Sequence, residues 1–405
     1  MPRVRNPAIQ EEDIQEDIRA PPQLDYDAGL LRELRRVYGG ALSAALQAIL
    51  EPPARYYVRV NVLRADPGTV LDEMRAQGLE VYADEELPEA LWLPVRGPVE
   101  PRDTGCRLVV DKRAAESIML GANVYAPGVV ALDEACANPG AEVTVVSENG
   151  VPVANAVLAE DYRRAMEEGR GLVAVNVRPR YRVPSLRDTV WWRRGVIYEQ
   201  SLPSMYASRI LDPEPGAVIV DMCAAPGGKT SHIYELVRGE ARIIAVDHSA
   251  RKTERMRMEL GRLGHTRIEV IRADSRYLDR ILGSGVADYV LLDPPCTSLG
   301  VIPKIYDRKT LRDVANTAEY QRQFLRAAAK LLKPGGVLVY STCTMTLMEN
   351  EENTQYAIEK LGLNPEEPQY HRFSRGLNQA WYAQRSHPHV HRTTGYYIAR
   401  LRKKP

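Results

Sequence analysis

Charge of one sign is the first thing this chain lacks. Its 405 residues carry 54 Lys and Arg against 53 Asp and Glu, a net charge of +1, so no global field draws it to nucleic acid and any basic surface must be local. Long apolar runs are missing too. None approaches the length that crosses a bilayer, and Met1-Pro-Arg-Val-Arg-Asn6 is not followed by the apolar core of a secretion signal, which together predict a cytoplasmic protein. Cysteine is scarce: Cys106, Cys136, Cys223, Cys296 and Cys343 form no Cys-x-x-Cys pair. That spacing argues against a zinc site or a disulfide framework and predicts free thiols in a reducing compartment. What remains is a globular composition, 44% hydrophobic, with length for two or three domains.

Residues 218–237 stand out from that background. Val218, Ile219, Val220 and Asp221 read as a buried strand, Gly227 and Gly228 as a tight turn, and Thr230, Ser231, Ile233, Leu236 and Val237 as the helix that follows. Glycines there let backbone N–H groups approach a ligand, and the new helix offers its positive end to a carboxylate or phosphate. A phosphate-cradling P-loop is disfavoured, because it needs glycine five residues before Gly228, where Cys223 stands. An ordinary βα turn also favours glycine, so the neighbouring strands decide. One, at residues 242–247, ends in Asp247, nineteen residues past Gly228, a spacing that suits the hydroxyls of a ribose. The next ends in Asp274 and Ser275, predicted to hold an adenine amino group, and a fourth ends in Asp293. Four strands finishing in polar residues on one edge mark the side where an open parallel sheet binds ligands.

Asp221-Met-Cys-Ala-Ala-Pro-Gly-Gly-Lys-Thr230, Asp247, Asp274, Asp293-Pro-Pro-Cys296 and Ser341-Thr-Cys-Thr344 together resemble the RNA 5-methylcytosine methyltransferases of the Nop2/Sun family, over most of residues 185–405. The resemblance implies an α/β fold with a Rossmann-like class I methyltransferase sheet and S-adenosylmethionine as cofactor. Its cofactor site would comprise Cys223, Ala224, Ala225, Pro226, Gly227, Gly228, Lys229, Asp247, Asp274 and Asp293.

The chemistry explains why such an enzyme needs two thiols. Carbon 5 of cytosine is too weak a nucleophile to take a methyl group unaided; a thiolate added at carbon 6 makes it enamine-like. The carbon 5 proton must then leave so that the thiolate is expelled. In the resembled family the cysteine of Ser-Thr-Cys-Thr attacks and the one after Asp-Pro-Pro aids release. Cys343 is therefore the expected nucleophile and Cys296 the expected release cysteine. Asp293 is expected to hold the ring nitrogen and amino group, and Lys229 to reach cofactor or base. The family often has Ser-Gly after the release cysteine; here Thr297 and Ser298 follow, a departure that bears on the path of this loop. Cys223, Cys106 and Cys136 are expected to be packing residues.

Upstream, a charged opening segment precedes helical spacing at Leu30, Leu31, Leu34, Val37 and Tyr38 and then Leu42, Leu46 and Leu50, stopped by Pro52 and Pro53. Strand patterns at 56–63 and 79–82 flank a helix at 69–77 and predict an α+β module over residues 1–104. By the resemblance it binds RNA, with Arg59 and Asn61 either facing RNA or standing as exposed polar residues of a half-buried strand. Residues 105–184 change to short strands at 108–110, 129–132, 142–146 and 172–177, a compact β-barrel. Residues 111–128 resemble a PUA domain, which would put Lys112, Arg113, Gly121, Ala122, Asn123, Tyr125, Pro127 and Gly128 near an RNA groove.

The arginines at 178, 180, 182, 187, 193 and 194, mixed with Tyr181, Trp191 and Trp192, supply phosphate contacts and stacking faces, or else a solvated charge run. Arg180 and Arg182 are the ones taken as RNA contacts. Residues 185–405 form the linker and methyltransferase domain. Within it Lys304, Arg308, Lys309 and Arg312 are expected at the substrate entrance, and Glu349–Asn353 at the start of a helix, where acids suit the dipole. Beyond Glu367 come eight Arg and Lys, four His and no acid, a pattern for an RNA-facing rim and not for a metal site.

A PUA-like insertion resembles the tRNA-methylating subgroup, which modifies an acceptor-stem cytosine next to the discriminator base while the PUA domain holds the 3′ CCA end. Ribosomal RNA is the alternative substrate. A non-catalytic assembly factor would need none of Cys296, Asp293 and Cys343, and an exocyclic-amine methyltransferase would want an aromatic residue where Cys296 stands.

Overall fold

The computed structural model describes residues 20–405; the charged opening segment of the chain lies outside them. The first strand, β1 (Leu24–Tyr26), leads into helix Ala28–Tyr38. Asp27 caps this helix by accepting the Leu30 N–H at 2.7 Å, and Gly39 ends it. With helix Leu42–Ala48 it buries Leu30, Leu34 and Leu46 against Leu299 and Met345, so the N-terminal helices lie directly over the loops that follow Cys296 and Cys343.

Strands β2 (Arg55–Val60), β3 (Tyr82–Ala83) and β4 (Ala90–Pro94), with helix Pro67–Ala76, make the expected α+β module. The chain then builds the barrel from β5 (Arg107–Val110), β6 (Val124–Tyr125), β7 (Val129–Leu132), β8 (Glu142–Ser147), β9 (Pro152–Leu158) and β10 (Leu172–Pro179), in the order β6-β10-β9-β8-β5-β7. Strand β9, with its alanines and Asn155, carries too little β-branched patterning to stand out in the sequence. After the barrel the chain returns to the first module: β11 (Ile197–Glu199) pairs antiparallel with β2, past the expected boundary at 185. It does so because Ile197 completes a core with Val58, Val60, Leu91, Leu93 and Trp191.

One expectation fails in the barrel. Cys106 and Cys136 are not free packing thiols but a disulfide, with Cα atoms 5.7 Å apart and 30 residues between them in sequence. The start of β5 and the short helix Glu134–Cys136 meet because β5 pairs antiparallel with β7, a contact that linear spacing does not reveal. Cys223, Cys296 and Cys343 are free.

The third unit holds β12 (Val218–Asp221), β13 (Arg242–Asp247), β14 (Glu269–Arg272), β15 (Ala287–Leu292), β16 (Asp307–Lys309), β17 (Leu332–Thr342), β18 (Leu363–Pro365), β19 (Ser374–Arg375), β20 (Ala383–Ser386) and β21 (Tyr396–Lys403). All but β16, which pairs parallel with β1, join one nine-stranded sheet whose main path runs β14-β13-β12-β15-β17-β21-β20-β19. The first five of that path are parallel and β21 is antiparallel. Alternation along each strand builds both faces. Val220, Ile244, Val290 and Leu338 pack against Phe324, Leu325 and Ala328 of helix Leu311–Leu331; Ile219, Ile243, Leu291 and Val339 pack against Met205 and Ile210 of helix Leu202–Leu211. The order reverses between β12 and β15, which opens a crevice at their carboxyl ends. No helix of the described residues is long and apolar enough to cross a membrane.

Candidate active site

Every strand-terminal residue singled out by the sequence lies at this one edge. A cleft of about 530 Å³ is lined by Cys223, Asp247, Asp274, Asp293, Cys296 and Cys343. A neighbouring hollow of about 210 Å³ is lined by Ala224, Pro226, Gly228, Lys229 and again Asp293. Between β12 and helix Gly228–Leu236, Gly227 adopts φ +104°, a left-handed conformation that side chains rarely enter. A Cβ there would also lie 3.1 Å from Met256. Burial pushes the Cys223 thiol up, which keeps it inert.

The two sulfurs the chemistry needs are in contact: Cys296 Sγ and Cys343 Sγ are 3.3 Å apart. Their shared hydrogen bond splits them, lowering Cys343 below the ordinary thiol value despite its burial and raising Cys296 well above it. The hydrogen bond thus favours charge on Cys343 over charge on Cys296. Beside them Asp293 takes three hydrogen bonds: Lys229 Nζ donates to Oδ2 at 2.6 Å, and Ser341 Oγ and Tyr396 OH donate to Oδ1 at 3.0 and 3.1 Å. Burial works against charge on Lys229, but Asp293 overrides it and holds the ammonium protonated. In the sequence Ser341 stands out only as part of the Ser-Thr-Cys-Thr motif and Tyr396 not at all; Tyr396 comes from the last strand and reaches the site only because β21 pairs with β17.

The loop after Cys296 clarifies the departure from the family pattern. Ser298 has φ +57°, the conformation glycine favours, and its Oγ lies 3.7 Å from Cys343 Sγ and 3.8 Å from Cys296 Sγ. Glu349 lies just before helix Glu351–Lys360, close to the expected helix start. It is fully buried and accepts from Thr297 beside Cys296 and from Thr344 beside Cys343.

The cofactor candidates fit a nucleoside with a charged tail. Asp247, 6% exposed, borders the cleft and accepts the Ser249 N–H at 3.0 Å. Asp274 borders it too, but is paired with Arg276 at 2.5 Å, a contact that holds its carboxyl low.

Several RNA candidates have other partners. Arg59 is completely buried and clamps Glu235 through Nε and Nη2 at 2.8 and 2.9 Å, while its Nη1 donates to the Gly228 carbonyl at 2.8 Å. Asn61, also buried, donates to the carbonyls of Gly195 and Leu263. Both join the N-terminal module to the methyltransferase unit and face no solvent: Arg59 packs against helix Gly228–Leu236, and Asn61 sits between Gly195 and Leu263. Lys112 pairs with Asp307 at 3.3 Å, and Asn123 accepts the Asn176 N–H at 3.0 Å. Arg180 pairs with Glu100. Tyr125 stands out at 54% exposure, no core aromatic, and Arg113 and Arg182 are exposed. Lys304 is buried instead of lining an entrance. His387, His389 and His391 pack around Tyr38 and each other.

Comparison with known proteins agrees with this geometry. Residues 208–402 match the RsmB/F 16S rRNA methyltransferase family, residues 106–179 the PUA domain, and residues 27–100 the ferredoxin-like domain of RsmF/B-like methyltransferases. A tRNA (cytosine(72)-C(5))-methyltransferase of Pyrococcus horikoshii is 38% identical over 389 residues, covering 94% of this chain and 98% of its own. The chain belongs to the Nop2/Sun family of RNA cytosine-C5 methyltransferases. Human tRNA (cytosine(72)-C(5))-methyltransferase NSUN6 is 32% identical over 80% of this chain and 77% of its own. The crystal structure of NSun6 from Pyrococcus horikoshii with SFG superposes with a TM-score of 0.87, covering 94% of this chain and 99% of that one. As a Nop2/Sun enzyme the chain uses S-adenosylmethionine to methylate carbon 5 of cytosine in RNA.

Proposed function

We propose that this enzyme methylates a tRNA acceptor-stem cytosine next to the discriminator base, with Cys343 as nucleophile and Cys296 as release cysteine. The observation that carries this reading is the 3.3 Å contact between the two sulfurs at the ligand edge of the sheet. The Cys343 thiolate adds to carbon 6, and the electron pair of the 5,6 double bond moves toward carbon 5. S-adenosylmethionine, when bound, supplies the methyl group. Once Cys343 is bonded to carbon its negative charge is spent, and the interaction that kept the proton on Cys296 is gone. Cys296 can then give that proton to solvent and, as a thiolate, take the one on carbon 5. The 5,6 double bond returns as the carbon–sulfur bond breaks.

Asp293 orients the pyrimidine through its ring nitrogen and amino group, and Lys229 aims that carboxyl group. Asp247 and Asp274 hold the ribose and adenine sides of the cofactor, and residues 223–229 its charged tail. The target base leaves the helical stack to reach the thiols, at a cost of a few kcal/mol.

Two features support tRNA over ribosomal RNA: the PUA domain, and near full-length likeness to an enzyme acting on tRNA cytosine 72. The barrel, with exposed Tyr125 and Arg113, takes the 3′ CCA end. Of the arginines after it, Arg182 is free to meet phosphate. We divide the chain at 104 and 184, with Ile197–Glu199 folding back onto the first module, and place the enzyme in the cytoplasm.

Bisulfite sequencing of tRNA and ribosomal RNA after incubation with enzyme and cofactor tests the substrate; methylation confined to ribosomal RNA overturns it. Cys296→Ala tests the chemistry. It should accumulate a denaturant-resistant protein–RNA adduct, and active wild-type enzyme beside an adduct-free variant would refute the assigned roles.

A further inference from the structure

Among the buried ionisable groups that the chemistry does not use, Lys304 joins Glu349 in holding the thiol loop. Its side chain is 5% exposed. Its Nζ donates to the Ser298 carbonyl at 2.9 Å and stands 3.3 Å from Asp307 Oδ2. Burying an ammonium is costly without such partners. The carbonyl it holds belongs to the left-handed residue two places after Cys296, a conformation that a serine adopts only when its surroundings over-determine it. Thr297 is fixed from the other side by Glu349. The turn that presents the Cys296 sulfur is therefore pinned at both following residues.

The second pin extends out of the methyltransferase unit. Asp307 accepts from Tyr26 OH at 3.0 Å and pairs through Oδ1 with Lys112 of the PUA domain at 3.3 Å. Ile305, two residues before Asp307, is buried in the barrel core beside Leu108 and Met119. The segment after the release cysteine is thus anchored in the RNA-binding barrel.

We propose that Lys304 is a positioning residue for the release step, fixing the turn that sets Cys296 against Cys343, and that Lys112 of the PUA domain completes its ion cluster. This rests on the reading that Cys343 adds and Cys296 releases. Lys112 then acts through the thiol loop and not as an RNA contact.

The test uses the full chain with tRNA and S-adenosylmethionine, and follows turnover together with protein–RNA adduct on denaturing gels. Lys304→Met should lower kcat by about tenfold to a hundredfold, the scale on which small misplacements act, leave KM for tRNA nearly unchanged, and accumulate adduct as Cys296→Ala does. Lys304→Arg should recover part of the turnover. A variant that is merely destabilised loses addition and release together and traps nothing. If Lys304→Met is slow without adduct while Cys296→Ala traps it, the proposal is wrong but the thiol roles stand. If Cys296→Ala traps nothing, those roles fail and this proposal with them.

Lys112→Met, at a side chain 32% exposed, gives a second arm should Lys304→Met fail to fold. A lower kcat with adduct supports the connection, whereas a raised KM alone makes Lys112 an RNA contact and overturns it.

Discussion

The carboxylate of Glu349 accepts both the backbone N–H of Thr297 at 2.9 Å and its hydroxyl at 2.6 Å. The same carboxylate takes Thr344 Oγ1 and Thr346 Oγ1 at 3.1 Å each, and Gln321 donates to it as well. One buried acid thus holds together the loops that carry Cys296 and Cys343, and burial raises its pKa.

Glu349→Ala should leave those donors buried without an acceptor and destabilise the protein by roughly 3 kcal/mol, read by denaturant unfolding. Glu349→Gln keeps the shape and should fold, but its amide cannot accept at both oxygens. Slow turnover with normal cofactor binding is expected.

Cys343→Ala should abolish methyl transfer and leave cofactor binding nearly intact, because the sulfur borders the cleft without building the glycine turn. Mass spectrometry after limited alkylation near neutral pH should find Cys343 modified ahead of Cys223. The first thiol is lowered by its hydrogen bond to Cys296 and the second is raised by burial.

Arg59→Met should cost about 3 to 5 kcal/mol, the price of leaving Glu235 buried without its partner. It should also weaken cofactor binding, since Arg59 holds the Gly228 carbonyl. Adding Glu235→Leu should restore much of the stability and little of the binding, measured by unfolding and by cofactor titration.

Burial lowers His265 from 6.5 to about 3. In the pH range between, the unfolded chain binds a proton that the folded one refuses. The stability this neutral ring contributes is complete above 6.5 and is lost as pH falls toward 3, about 2 kcal/mol of it by pH 5. His232 and His387, lowered to about 4 and 3, act in the same direction; Glu235, raised to about 7, acts in the opposite one. Comparison with the parent isolates the group: the Tm of His265→Phe should fall less than the parent's between pH 7 and pH 5.

The methyltransferase edge was legible because its signals are local. A strand's β-branched run, the glycines at 227 and 228, and the acids at 247, 274 and 293 each depend on a handful of neighbours in the chain. The motifs around Cys296 and Cys343 identified the chemistry without coordinates. Arg59 was misread for the same reason: a charged residue alternating with Val58 and Val60 looks solvent-facing until a second domain covers it.

By itself the sequence determined the parallel strands of the methyltransferase sheet, the acids that end them, and the two cysteine motifs of the family. Those follow from periodicity and from chemical need. Only the tertiary structure decided the contact between the two sulfurs, the Cys106–Cys136 bond, the clamp at Glu349 and the anchoring of Lys304 toward the barrel. Each joins residues brought together by packing, and a buried polar group finds its partner by where the fold delivers it, which no linear spacing records.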